Sequence, residues 1–382
     1  MTARGLRSFG FGFSAVLIGI HLERRGLSPA LIGLALGLGL AAASLAGLAA
    51  VPTAARFGRR RTLALVGLGM GLTGLDLAVA TQPALLVIAG ATGMLGAASS
   101  DLGPFAPLEQ SALTDVVPPA RRNLAFGRYS LTGGMFNAAG GLSAAAATAA
   151  SISAFYLLYA ALGVATAILP LLMTSVVEVG VPSGLGGPLR DRSLVRVLAG
   201  LAALFALDSL AGGFVTNAVI AYWFHARFGV GPALLGPLFA AVAVLQSVSY
   251  EISARLSVRI GLINTMVFTH LPSNVLLILV ALAPTLGAAI ALVLARFLLS
   301  QMDVPARQAY IVSIVPAPQR AAALALVGAV RGVAMAFGPP VAGVAIGAAA
   351  FGVPFYLGGG LKIVYDLALF AGFRRRRAQH ET

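Results

Sequence analysis

Pro107-Leu108-Glu109-Gln110 is followed by Val117-Pro118, Arg122 and Gly140. The same spacing returns 198 residues later as Pro305-Ala306-Arg307-Gln308, Val315-Pro316, Arg320 and Gly338. A further match, Ala55-Arg56 against Ala254-Arg255, holds an offset of 199. One offset kept over so many positions marks a duplicated chain. Between the copies stands the longest Gly/Pro-rich polar stretch, "EVGVPSGLGGPLRDRSLVR" at 178–196. We therefore expect an N-terminal bundle at 1–178, a cytoplasmic linker at 179–196 and a C-terminal bundle at 197–382. Duplicated halves of this kind are a transporter architecture, because two similar bundles can rock about a site between them.

Composition carries the same message. Of 382 residues 59% are apolar, a further 46 are glycine, and 10% are charged, where soluble domains have ~25% charged. No water-soluble surface can be built from that inventory, so a soluble enzyme, a secreted domain and a disordered tail are excluded. A membrane helix needs ~20 apolar residues. Breaks at charged or Pro/Gly clusters predict spans near 5–22, 30–55, 63–81, 84–106, 126–149, 153–177, 197–225, 232–253, 262–282, 285–304, 322–348 and 354–373. The fold class expected is an all-α membrane protein, with 12 transmembrane helices in two pseudo-symmetric six-helix bundles. The first apolar run leads into a second after a short loop, so it reads as a retained span and not a cleaved signal.

The net charge of +14 invites a nucleic-acid reading, but the arginines lie in short loops between apolar runs. About twenty of them fall on the side that carries both termini. The opposite side keeps Arg24, Arg25 and Arg227. The positive-inside bias then places both ends in the cytoplasm of a cell whose cytoplasmic membrane the chain crosses many times. The absence of cysteine excludes disulfides and thiolate metal sites. No nucleotide motif has the strand-turn-helix setting it needs, so no cofactor is expected, and energy must come from an ion gradient, from exchange or from the substrate's own gradient.

The loop after the second span reads Val51-Pro52-Thr53-Ala54-Ala55-Arg56-Phe57-Gly58-Arg59-Arg60. With two six-span halves and a central linker, it resembles the major facilitator superfamily over nearly the whole chain. Members carry Gly-x-x-x-Asp-Arg-x-Gly-Arg-Arg there. The Arg-x-Gly-Arg-Arg part matches, whereas Val51 and Ala55 replace the glycine and the aspartate. The resemblance implies a cytoplasmic gate involving Arg56, Arg59 and Arg60, without the aspartate that helps latch it. The Gly-Pro motif that several antiporters carry in span five is Gly140-Gly141 here, and Gly338-Pro339-Pro340 stands in span eleven instead.

An ionisable side chain at the bilayer centre is costly and needs a partner or a task. Asp208 lies about twelve residues into span seven, ahead of Ala211-Gly212-Gly213, where a helix can loosen. It is the candidate for proton coupling; a buried ion pair fixing helix register is the plain alternative. Arg331, mid-span in eleven, can hold an anionic substrate or answer Asp208. Arg296, Ser300, Asp303 and Arg307 share one helical stripe. Arg296 is a second candidate for substrate or charge compensation. Asp303, Arg307, Asp101 and Glu109 read as a cytoplasmic gate, with Glu109 and Arg307 able to pair across the halves. Lys362 and Asp366, four apart, are expected to neutralise each other on a peripheral helix. Tyr222, Trp223 and His225 read as an interfacial belt, and His270 with Asn274 offers too few ligands for a metal.

The leading expectation is a non-enzymatic secondary transporter working by alternating access, a proton-coupled exporter of a small molecule. The alternative is uptake of a small organic anion with Arg331 as its ligand. A non-transporting membrane scaffold or lipid-handling protein is the reading from a different class. Expected partners are a small-molecule substrate, a proton gradient and the lipid bilayer, with no nucleic acid and a monomeric chain.

Overall fold

The computed structural model describes residues 1–96, 103–118, 121–174, 178, 192–304, 306–307, 310, 315 and 320–373. Among them the chain forms helices and no strand. The first half contributes α1 (Thr2–Arg24), α2 (Pro29–Phe57), α3 (Arg59–Val79), α4 (Pro83–Ala91), α5 (Phe105–Val116), α6 (Arg122–Ser143) and α7 (Ile152–Leu171). The second half contributes α8 (Arg192–Gly213), α9 (Asn217–Phe228), α10 (Pro232–Ile260), α11 (Leu262–Leu282), α12 (Leu286–Leu299), α13 (Arg320–Ala336), α14 (Gly338–Gly347) and α15 (Val353–Phe373).

Local chemistry sets the ends. Ser28 caps α2, accepting from Leu31 N, with Pro29 at the first helical position. Thr216 caps α9 and Thr285 caps α12 in the same manner. Gly58, at φ +88°, turns the chain from α2 into α3.

Nine helical stretches among the described residues are long and apolar enough to cross a membrane. They cover nine of the expected spans. Leu198–Phe228 takes in both α8 and α9, and Leu326–Gly347 takes in most of α13 and all of α14. The remaining three expectations, near 84–106, 126–149 and 285–304, are met by shorter or more polar helices. Helix α4 stops after nine residues, Gly93 has φ +74° and Gly103 φ +130°, and α5 starts afresh behind Pro104. Helix α6 carries Arg128 and Asn137, and α12 is apolar but only 14 residues long.

The burial pattern inverts that of a soluble protein. On α3, Leu65, Leu68, Leu72, Leu75 and Val79 form an exposed stripe, with Leu72 67% exposed. Its glycine face meets α7 so closely that a Cβ on Gly67 would stand 2.5 Å from Ala167 N, and one on Gly163 2.3 Å from Gly71 N. Small residues inside and leucines outside are what helix packing in lipid requires.

Helix contacts join the sequence halves: α2 with α13 and α14, α6 with α10, and α1 with both α9 and α10. The larger apolar core crosses that seam, bringing Phe13, Leu17 and Ile20 of α1 together with Trp223, Phe224 and Ile346. A smaller core of Leu201, Phe205, Met266, Tyr365 and Leu369 lies between α8, α11 and α15.

Candidate functional site

Spans seven and eleven are both interrupted, and the interruptions touch. Helix α8 ends at Gly213 and α9 begins at Asn217; α13 ends at Ala336 and α14 begins at Gly338. A Cβ on Gly338 would lie 2.1 Å from the carbonyl carbon of Gly213, and one on Gly213 2.1 Å from Met335 O. Only glycine lets these backbones meet. Broken helices expose backbone groups beside a binding site in several transporter folds.

Beside this crossing lies a buried charge network. Asp208, on α8 five residues before Gly213, is 4% exposed. Lys362 of α15 donates to its Oδ1 at 2.5 Å, and Arg307 donates to its Oδ2 at 3.4 Å. The same Arg307 nitrogen donates to Asp303 Oδ2 at 2.6 Å, one helical turn away. His270 of α11 stands between two carboxylates, with Nδ1 2.9 Å from Asp366 Oδ1 and Nε2 3.8 Å from Asp208 Oδ1. Asn274, one turn on, donates to Asp366 Oδ2 at 2.8 Å. Such a low-dielectric web holds together only while its partners are matched.

Lys362 and Asp366 do not neutralise each other, contrary to the spacing argument, and they are not peripheral: both are buried. Lys362 reaches α8 and Asp366 reaches α11, because partners on packed neighbours satisfy each charge in shorter bonds. His270 and Asn274, set aside as too few ligands for a metal, are instead members of this network. Arg296 is buried on α12, its guanidinium 4.6 Å from the ring of Phe297. Arg331 is half-buried on α13. Asp208 acts electrostatically on both.

The first half holds a smaller counterpart. Arg7 of α1, fully buried, donates to Glu109 Oε1 at 2.8 Å and Oε2 at 3.0 Å. Tyr129 of α6 donates to the same carboxylate at 2.7 Å, and the Arg7 guanidinium lies 4.2 Å from the Phe105 ring. Glu109 and Arg307 thus each bond within their own half, and among the described residues no ion pair joins them. Arg7 was missed in the sequence because it sits near the chain start, where it reads as one more positive-inside charge.

At the α2–α3 corner, where Ala55 brings no carboxylate, Glu178 supplies one. Its carboxylate accepts from Arg59 N at 2.6 Å and Arg60 N at 3.0 Å, so it sits on the N-terminus of α3. Arg59 is buried and donates to Ser111 Oγ at 2.8 Å; Arg60 donates to the carbonyls of Pro170 and Leu171. Arg56 is exposed beside Phe57. Asp101 lies outside the described residues.

The opposite end is latched across the seam. Glu23 of α1 accepts from Tyr222 at 3.2 Å and lies 3.1 Å from His225 Nε2, while His225 Nδ1 is 2.8 Å from Val230 O. Tyr222 and Trp223 are buried and not a lipid-facing belt; Trp223 donates to Phe351 O at 2.9 Å.

Comparison with known proteins gives the fold its place. A model of the Major Facilitator Superfamily matches residues 1–301. An uncharacterized membrane protein of Saccharomyces cerevisiae is 23% identical over 410 residues, covering 96% of this chain and 92% of its own. The solved nucleoside transporter NupG is similar with a TM-score of 0.77 at 14% identity, covering 98% of each chain. A solved D-xylose-proton symporter is similar with a TM-score of 0.72 at 16% identity, covering 97% of this chain and 96% of its own. These structural likenesses speak for fold alone, whereas the family match spans most of the sequence. With that match, and with helices and no strand among its described residues, the chain belongs to the major facilitator superfamily.

Proposed function

We propose that this chain is a proton-coupled secondary transporter that moves a small molecule by alternating access. In this reading it crosses the cytoplasmic membrane twelve times as a monomer, in two six-helix bundles at 1–178 and 197–382. Both termini and the Arg59 corner face the cytoplasm. The supporting observation is the placement of Asp208: a buried carboxylate beside the crossed breaks of spans seven and eleven, bonded to Lys362 and Arg307 and close to His270. Proton coupling needs a group whose partners change when the bundles rock. Asp208 draws its partners from α15, from α11 and from the segment after α12, so a relative movement of these elements alters how firmly it holds a proton. His270, between two carboxylates, is the neighbour through which that proton can pass.

The direction follows from the sign of the coupling. Export results when cargo and proton compete for the network, and uptake results when they bind together. Asp208→Asn should abolish gradient-driven accumulation or extrusion in proteoliposomes while leaving cargo exchange measurable. A mutant that still concentrates cargo with normal pH dependence would make Asp208 structural.

A further inference from the structure

The network is not balanced. Asp208, Asp303 and Asp366 stand against Arg307, Lys362, Arg296 and Arg331, a surplus of one positive charge with His270 neutral. Both oxygens of Asp208 and both of Asp366 are taken, and Asp303 is bonded to Arg307. Arg296, only 5% exposed, has Nε and Nη1 buried without a hydrogen-bond partner among the described residues, and so has Arg331 at Nε. Ser300, one turn beyond Arg296 on the same helical face, is buried with its hydroxyl likewise unanswered. A guanidinium buried as Arg296 is, with no contact counter-ion among the described residues, is expensive. Asp208 cannot answer these arginines, since it is already shared between Lys362 and Arg307. Arg331 also sits at the seam: a Cβ on the adjacent Gly332 would lie 1.9 Å from Ser44 Oγ of α2.

Resting on the transport reading above, we propose that Arg296 and Arg331 bind the anionic group of the cargo, a small organic carboxylate or phosphate that presents two oxygens. A guanidinium fork matches that geometry, and its charge cannot be lost to deprotonation. The sign of coupling follows. An anion held by these arginines cancels part of the positive field at Asp208, so the carboxylate network takes up a proton more readily. Cargo and proton then bind cooperatively and move together.

Thermal stability of the purified full-length protein in nanodiscs tests this without a known cargo. The probes are succinate and glucose 6-phosphate, each against its uncharged counterpart, succinamide and glucose. We expect the anions to protect and the neutral partners not to, with stronger protection at lower pH. The response to succinate compared with that to glucose 6-phosphate tells a carboxylate cargo from a phosphate. Arg331→Gln and Arg296→Gln should each weaken protection ~10- to 100-fold, the scale of a charge-assisted bond, and the lysine variants should fall between. Asp208→Asn should keep anion protection and lose its pH dependence. Absence of protection by any anion, equal protection by the neutral partners, or equal protection by chloride at matched ionic strength overturns the proposal. The wild-type comparison stands even where a variant fails to fold. Failure of transport would appear separately, as anion-protected protein that accumulates nothing in proteoliposomes.

Discussion

In the first half of the chain Arg7 of α1 meets Glu109; in the second half Asp208 of α8 meets Arg307, which holds Glu109's place under the 198-residue repeat. The opening helix of each half thus answers the same repeat position, with the charges exchanged. The surroundings differ. Arg7 and Glu109 bind each other through two bonds, with Tyr129 on the same carboxylate. Asp208 is shared among Lys362, Arg307 and His270, and two further arginines lie nearby. A carboxylate held by two bonds from one fully buried guanidinium and a third from Tyr129 is fixed in place, so we read this pair as a clamp. An oversubscribed carboxylate responds to every change among its neighbours, which is why we propose the second half as the place of coupling.

The comparison can be broken most sharply at Glu109. Glu109→Gln leaves Arg7 buried without its counter-ion and should cost about 3–5 kcal/mol of stability, read by thermal or denaturant unfolding in detergent. Lys362→Gln should cost less, because Asp208 keeps Arg307, and should instead impair driven transport. Arg7→Glu combined with Glu109→Arg gives the first half the polarity of the second and should recover much of the loss. Equal stability losses for Glu109→Gln and Lys362→Gln would erase the distinction between clamp and network.

A smaller effect sharpens the likeness of the halves. Gly140 and Gly338 occupy the same repeat position, and a Cβ on either would strike the opening span of its own half, 2.0 Å from Phe9 O or 2.1 Å from the Gly213 carbonyl carbon. Each alanine variant should lose about 1–3 kcal/mol by overpacking. Tolerance at Gly338 alone would show that the break in the second half absorbs strain that continuous α6 cannot. The smallest expected change concerns Glu178, which has no described counterpart in the second half. Glu178→Gln removes a full charge from the N-terminus of α3 and should cost about 0.3–1 kcal/mol, less at high salt.

Much of this arrangement is legible in the sequence. The apolar spans and the buried positions of Asp208 and Arg296 follow from pattern, since a charge within an apolar run stands out. Partner choice was hidden. Lys362 and Asp366 are one turn apart, and only tertiary packing shows that α8 and α11 offer each a closer partner. Glu178 looked like the start of a polar linker, and nothing local ties it to residues more than a hundred positions earlier. His225 looked interfacial because an aromatic cluster at a span end reads that way, and its role across the seam depends on where α1 ends. Span four was misjudged for a different reason: composition promised one helix, while Gly93, Gly103 and Pro104 divide it.

The bonds from Tyr222 and His225 to Glu23 have a consequence for measured affinity. They hold the two halves together at one face, so they favour conformers in which that face is shut. If they bias the population by about 1.4 kcal/mol, roughly one molecule in eleven stands open there at rest. A cargo approaching from that side then shows an apparent Kd about elevenfold weaker than its true affinity for the open form. Loosening the latch would therefore tighten apparent binding from that face without altering a single residue that touches the cargo.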